Sequence, residues 1–119
     1  MVREQTLPPD RGAPATARES VRTACGPMFP HLIDDAVLLT SEVVTNAVKH
    51  GRAPVRLSVN CDHSGIVVAV DDANPALPRT RKTDRRRHSG RGLVLVQRLA
   101  ADWGVRRTAT GKQVWFRLA

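Results

Sequence analysis

The chain has 119 residues, enough for one domain with its own core, and its hydrophobic share of 41% excludes a disordered polyelectrolyte. Its net charge of +8 raises nucleic acid as a partner, yet +6 of it falls in residues 79–91, with no interleaved aromatic, which reads as a basic loop rather than a nucleic-acid-binding stripe. No run approaches the ~18 apolar residues of a membrane span and no apolar signal core opens the chain, so a cytoplasmic location and no membrane partner are expected.

Residues 1–14 hold Pro8, Pro9 and Pro14 and are expected to be irregular, with room for a short strand before Pro8. Thr16 and Glu19 match a T-x-x-E capping box, which predicts a helix through about Ala24, stopped by Gly26-Pro27. A long helix is predicted over residues 31–50, ending at Gly51, because Ile33, Ala36, Val37, Val44, Ala47 and Val48 recur at helical spacing. Two strands follow. Val55, Leu57 and Val59 alternate with polar neighbours, Ile66 opens an apolar run to Val70, and Asp62-His63-Ser64-Gly65 makes the turn between them.

Residues 71–90 are polar and basic and contain Pro75 and Pro78; a loop of this length is usually functional or disordered. A third helix is predicted over residues 92–101 with Leu93, Val96, Leu99 and Ala100 inward. Two strands, residues 103–108 and 113–118, close the series around the turn Ala109-Thr110-Gly111-Lys112. Antiparallel strand pairs with helices grouped apart predict an α/β fold, a two-layer sandwich of a mainly antiparallel sheet with helices on one face. Cys25 and Cys61 have no metal-like spacing, and free buried thiols are favoured over a disulfide between them.

Three places invite chemistry. Glu42 and Asn46 are four apart and share a helix face, which Lys49 and His50 extend. A solvated face explains that ridge equally, except that Asn is a poor helix former on a plain surface. Asp72 follows the apolar strand directly, and a carboxylate there either accepts from a ligand amine or simply ends the strand in a turn. Ser89-Gly90-Arg91-Gly92 precedes the third helix, where two glycines either free backbone N–H groups for phosphate or make a flexible turn.

Taken in order, the motifs resemble one family. S-E-V-V-T-N-A-V-K-H-G at residues 41–51 resembles the N box of the Bergerat-fold (GHKL) ATP-binding proteins, which include gyrase, histidine kinases and MutL. V-A-V-D-D-A-N-P-A-L-P at residues 68–78 resembles the first glycine box, S-G-R-G-L-V-L-V at 89–96 the second, and G-K-Q-V-W-F-R-L at 111–118 the closing strand. The likeness spans residues 16–118 and is nearest to the small branch similar to bacterial anti-sigma-factor serine/threonine kinases.

The resemblance implies a histidine-kinase-like ATPase fold that binds ATP with Mg²⁺. Asn46 would coordinate the metal, Glu42 would be the general base, Lys49 would approach phosphate, and Asp72 would accept from the adenine amino group. Gly90 and Gly92 would line the phosphates, His50, Asn74, Arg91 and Leu93 would complete the nucleotide site, and residues 79–91 would form the ATP lid. The implied partners are an anti-sigma antagonist protein as phosphate acceptor, a sigma factor, and a second copy of the chain in a homodimer. A non-catalytic ATP-binding regulatory module remains the alternative, with nucleic-acid binding behind it. No dimerisation helix pair with a phosphoacceptor His accompanies the motifs, which argues against a complete histidine kinase. Two departures stand out: Asn74 and Pro75 replace glycines of the first box, and Gln113 stands where many relatives carry a small hydroxyl residue near the adenine carboxylate.

Overall fold

The computed structural model describes residues 2–77 and 88–119. Their elements are β1 (Val2–Leu7), α1 (Ala13–Cys25), α2 (Ile33–His50), β2 (Val55–Asp62), β3 (Gly65–Asp72), α3 (His88–Leu99), β4 (Asp102–Arg107) and β5 (Lys112–Leu118). The strands form one sheet in the order β1-β2-β3-β5-β4, and every neighbouring pair is antiparallel. The three helices and this five-stranded sheet make the α/β sandwich expected from the strand pairs.

Two-residue alternation decides which side chains meet the helices. Leu57, Val70, Val114 and Val105 form one row across four strands, and Val59, Val68, Phe116 and Trp103 form the next. Apart from the half-buried edge residues Val105 and Trp103, these side chains are buried, with Phe116 fully enclosed. A single large aromatic at the centre of a Val-rich sheet matters; its truncation to Ala would cost roughly 3–5 kcal/mol.

The helices close over that face. Ala13, Ala17, Val21 and Cys25 recur every four residues and line the inner side of α1. Ala36, Val37, Leu39, Val43, Val44 and Ala47 do the same on α2. In α3, Leu93 and Val96 are buried as predicted, whereas Leu99 is 40% exposed because it ends the helix.

At the N-terminal end the short strand expected before Pro8 is present, and the start of the following helix differs from expectation. Residues 2–7 are an edge strand paired along their full length with β2, and Ser20 of α1 donates to Gln5. The helix after it starts at Ala13, not at Thr16. Its N-cap is Gly12, whose N–H donates to the Asp10 carboxylate at 2.7 Å, and Pro14 occupies the first turn, where its missing N–H does no harm. Thr16 is therefore inside the helix, and its hydroxyl donates back to the Gly12 carbonyl at 3.1 Å. The predicted capping box does not form.

Cys25 and Cys61 are both buried thiols that form no disulfide. Burial, then the neighbouring Cys61 thiol, push the Cys25 thiol up to about 12. Among the described residues no helix is long and apolar enough to cross a membrane.

Candidate functional site

The site is assembled where α2 ends. Glu42 and Asn46 are half-buried on that helix, and Lys49 and His50 are exposed in its last turn. Two basic residues there complement the negative end of the helix dipole. The helix stops at Gly51, whose N–H donates to the Ala47 carbonyl at 2.9 Å. Gly51 does not need positive φ; its backbone is extended, at φ −90 and ψ −164. It needs space. A Cβ there would lie 2.5 Å from Cγ and 2.7 Å from Oδ2 of Asp72.

Asp72 thus sits against the helix end. It continues the inward series Ile66, Val68 and Val70 of β3, so the same alternation that builds the core turns its carboxylate inward, where it is only 4% exposed. Oδ1 accepts the backbone N–H of Asn74 at 2.7 Å. The Asn74 amide donates to the His50 carbonyl at 3.0 Å, and the Ala73 N–H to the Arg52 carbonyl at 2.8 Å. Residues 50–52 and 72–74 are therefore stitched together, which brings the N-box segment and the first-box segment of the sequence into one place.

A third segment enters from β5. Lys112 is directly opposite Asp72 in the sheet register. Its ammonium lies 3.1 Å from each carboxylate oxygen and donates to the Asn74 carbonyl at 3.0 Å. The preceding Gly111 is also required by close approach, because a Cβ there would be 1.9 Å from the Asp72 carbonyl oxygen.

Lys112 was not among the predicted site residues; Gln113 was expected near the aspartate. The register corrects this. Gln113 pairs with Asp71 and projects to the opposite sheet face, where its side-chain oxygen accepts from Arg106 at 3.1 Å. The signal was present, since Lys112 is in step with the inward Val114, Phe116 and Leu118.

Of the other predicted residues, Gly90, Arg91 and Gly92 lie in the first half of α3, which begins at His88 rather than after the glycines. Leu93 is buried in the core. Glycines cost helix stability, roughly 1 kcal/mol each relative to Ala, and the apolar stripe of Leu93 and Val96 offsets this by packing. The predicted lid falls largely on residues 78–87, which lie outside the described residues.

With this geometry in hand, the match to known proteins is specific. The histidine kinase-like ATPase domain family matches residues 7–118, and the chain belongs to that family of ATP-binding domains. No curated protein matches it significantly.

Proposed function

We propose that the protein is a single cytoplasmic Mg-ATP-binding domain that transfers the γ-phosphoryl group to a serine or threonine of an antagonist protein, in the manner of anti-sigma-factor kinases. The observation that carries the reading is the seating of Asp72 against Gly51. It joins the helix bearing Glu42 and Asn46 to the carboxylate best suited to accept from an adenine amino group.

The donor set at Asn46 fits magnesium. Mg²⁺ keeps several waters and takes few protein oxygens, with the rest from phosphate. Among the described residues no three His, Cys, Asp or Glu side chains form a metal cage of their own. The bound ion would neutralise phosphate charge as it develops.

The chain's own residues supply the rest. Asn46 offers an amide oxygen to the metal, and Lys49 a charge near the phosphates. Glu42, one turn before Asn46, accepts the proton of the attacking hydroxyl. As it does so, the hydroxyl oxygen bonds to the γ-phosphorus and the bond to the departing ADP oxygen breaks.

A second reading is a non-catalytic ATP-binding regulatory module, which needs the same site without transfer.

Labelled Mg-ATP with candidate antagonist proteins separates the two. Glu42→Gln is expected to keep ATP affinity while transfer falls by a factor on the order of 10²–10⁴. Asn46→Ala should remove most of the magnesium-dependent affinity in calorimetry. Equal transfer by Glu42→Gln and wild type removes Glu42 from the mechanism, and unchanged binding by Asn46→Ala removes the metal assignment.

A further inference from the structure

The Asp72 carboxylate is not an open acceptor. Of its roughly four lone-pair sites, Oδ1 uses two, for the Asn74 N–H and Lys112, and Oδ2 faces the same ammonium at 3.1 Å. The ammonium is anchored at two points, donating to Oδ1 and to the Asn74 carbonyl. The two side chains are 3% and 8% exposed, and the Gly51 backbone flanks Oδ2. An amino group cannot reach Asp72 along the direction that Lys112 occupies.

We propose that Lys112 is a specificity-determining residue of the nucleotide site, which competes with the base for Asp72. The inference rests on the reading of Asp72 as the base acceptor. A purine with an exocyclic amino group gains its full hydrogen bond to the carboxylate when the ammonium swings away, and the ion pair opposes that swing. Apparent affinity falls by the fraction of molecules that are open. The same competition narrows the preference for an amino-purine over one without that group, because part of the gained hydrogen bond is offset by the ion pair lost.

The residue is tuned by three local features. Gly111 lets β5 pass close enough for Lys112 to reach across, Gly51 leaves room for the carboxylate, and the Asn74 carbonyl holds the ammonium in place. Only a long, flexible cationic side chain meets both oxygens and the carbonyl at once. A short hydroxyl side chain at the same register would leave Oδ2 free.

The test is calorimetry with Mg-ATP and with purine riboside 5′-triphosphate, which lacks the amino group, on wild type and Lys112→Thr. Threonine can still donate to Asp72, so the carboxylate is not stranded; a circular-dichroism melt checks that the variant folds, and Lys112→Gln replaces it if it does not. The variant should bind ATP about tenfold more tightly than wild type, and its preference for ATP over the amino-free analogue should widen by a similar factor. Affinity that is equal or weaker, with the preference unchanged, overturns the competition while leaving the nucleotide site in place. Wild type and variant that both ignore the two nucleotides would bring down the nucleotide reading, and this inference with it.

Discussion

Asp71 and Asp72 are neighbours in the chain and opposites in the fold. Asp72 faces the helices, is 4% exposed and is held by Lys112. Asp71 faces away from them and lines an open polar cleft with Glu4, Arg56, Ser58 and Gln113. Its Oδ1 is buried and has no hydrogen-bond partner. One peptide step separates an acid that has been given an internal counter-ion from one that has not. The parity of the strand, rather than the residue type, assigns the chemistry. On the covered face a charge persists only with a partner, because desolvation there is not compensated by water.

The sharpest way to break this comparison is to delete each carboxylate. Asp72→Ala strands the Lys112 ammonium in the interior and should lower stability by roughly 3–5 kcal/mol. Asp71→Ala strands no counter-ion and removes a carboxylate oxygen that is buried without a partner, so it should cost far less than Asp72→Ala or stabilise the fold. Urea midpoints at constant slope would measure both. Equal costs would mean that the two faces do not differ as described.

A smaller effect is expected at the wall of the same pocket. Gly51→Ala places a methyl group against Asp72 and the Ala47 carbonyl, so the helix end must retreat. Overpacking of this kind costs roughly 1–3 kcal/mol. ATP affinity should fall with stability, since the same shift pulls residues 50–52 away from 72–74. A variant of full stability and unchanged affinity would show that the close approach is not needed.

The smallest effect sharpens the comparison through a different acid on the covered face. Cys25 is in no ion pair like that of Asp72 and stays a neutral thiol, its pKa pushed up to about 12 by burial and then by Cys61, against a smaller lowering by the N-terminal charge. The raised folded value means that this contribution is complete below the ordinary thiol range near 9 and is lost as pH rises toward 12. Between pH 8 and pH 10 the loss should be about 1 kcal/mol. Urea midpoints over that range should fall in wild type and flatten in Cys25→Ala. Parallel slopes would place the alkaline sensitivity elsewhere.

Much of this was legible in residue order. The apolar stripe of α2, the alternation of Val55, Leu57 and Val59, and the run into Asp72 follow from side-chain period alone, and the structure keeps them. Two things were harder. Residues 2–7 admit a short strand before Pro8 but not its partner, because an edge strand acquires its pairing from β2, far along the chain, and carries only a weak apolar pattern of its own. Gln113 was read as the position beside the carboxylate, whereas the register puts Lys112 there. Family likeness aligns types, whereas register aligns faces, and a one-residue slip exchanges the two faces completely. The start of α3 was set too late for a related reason: glycines read locally as loop, while packing of Leu93 and Val96 holds them in a helix.

The position of β5 has a consequence for how the protein is made. Among the described strands it comes last in the chain, yet it hydrogen-bonds between β3 and β4. On a ribosome, β1, β2 and β3 can zip into a meander as they emerge, but the next strand in sequence has no neighbour to receive it. Asp72 emerges 40 positions ahead of Lys112. At roughly 5–20 residues per second, that delay is on the order of seconds. During it the nascent chain carries a bare carboxylate and an unpaired, strongly apolar β3 edge, to which a strand of another chain can add. The Asp72–Lys112 ion pair of the finished fold is thus also the last latch to close.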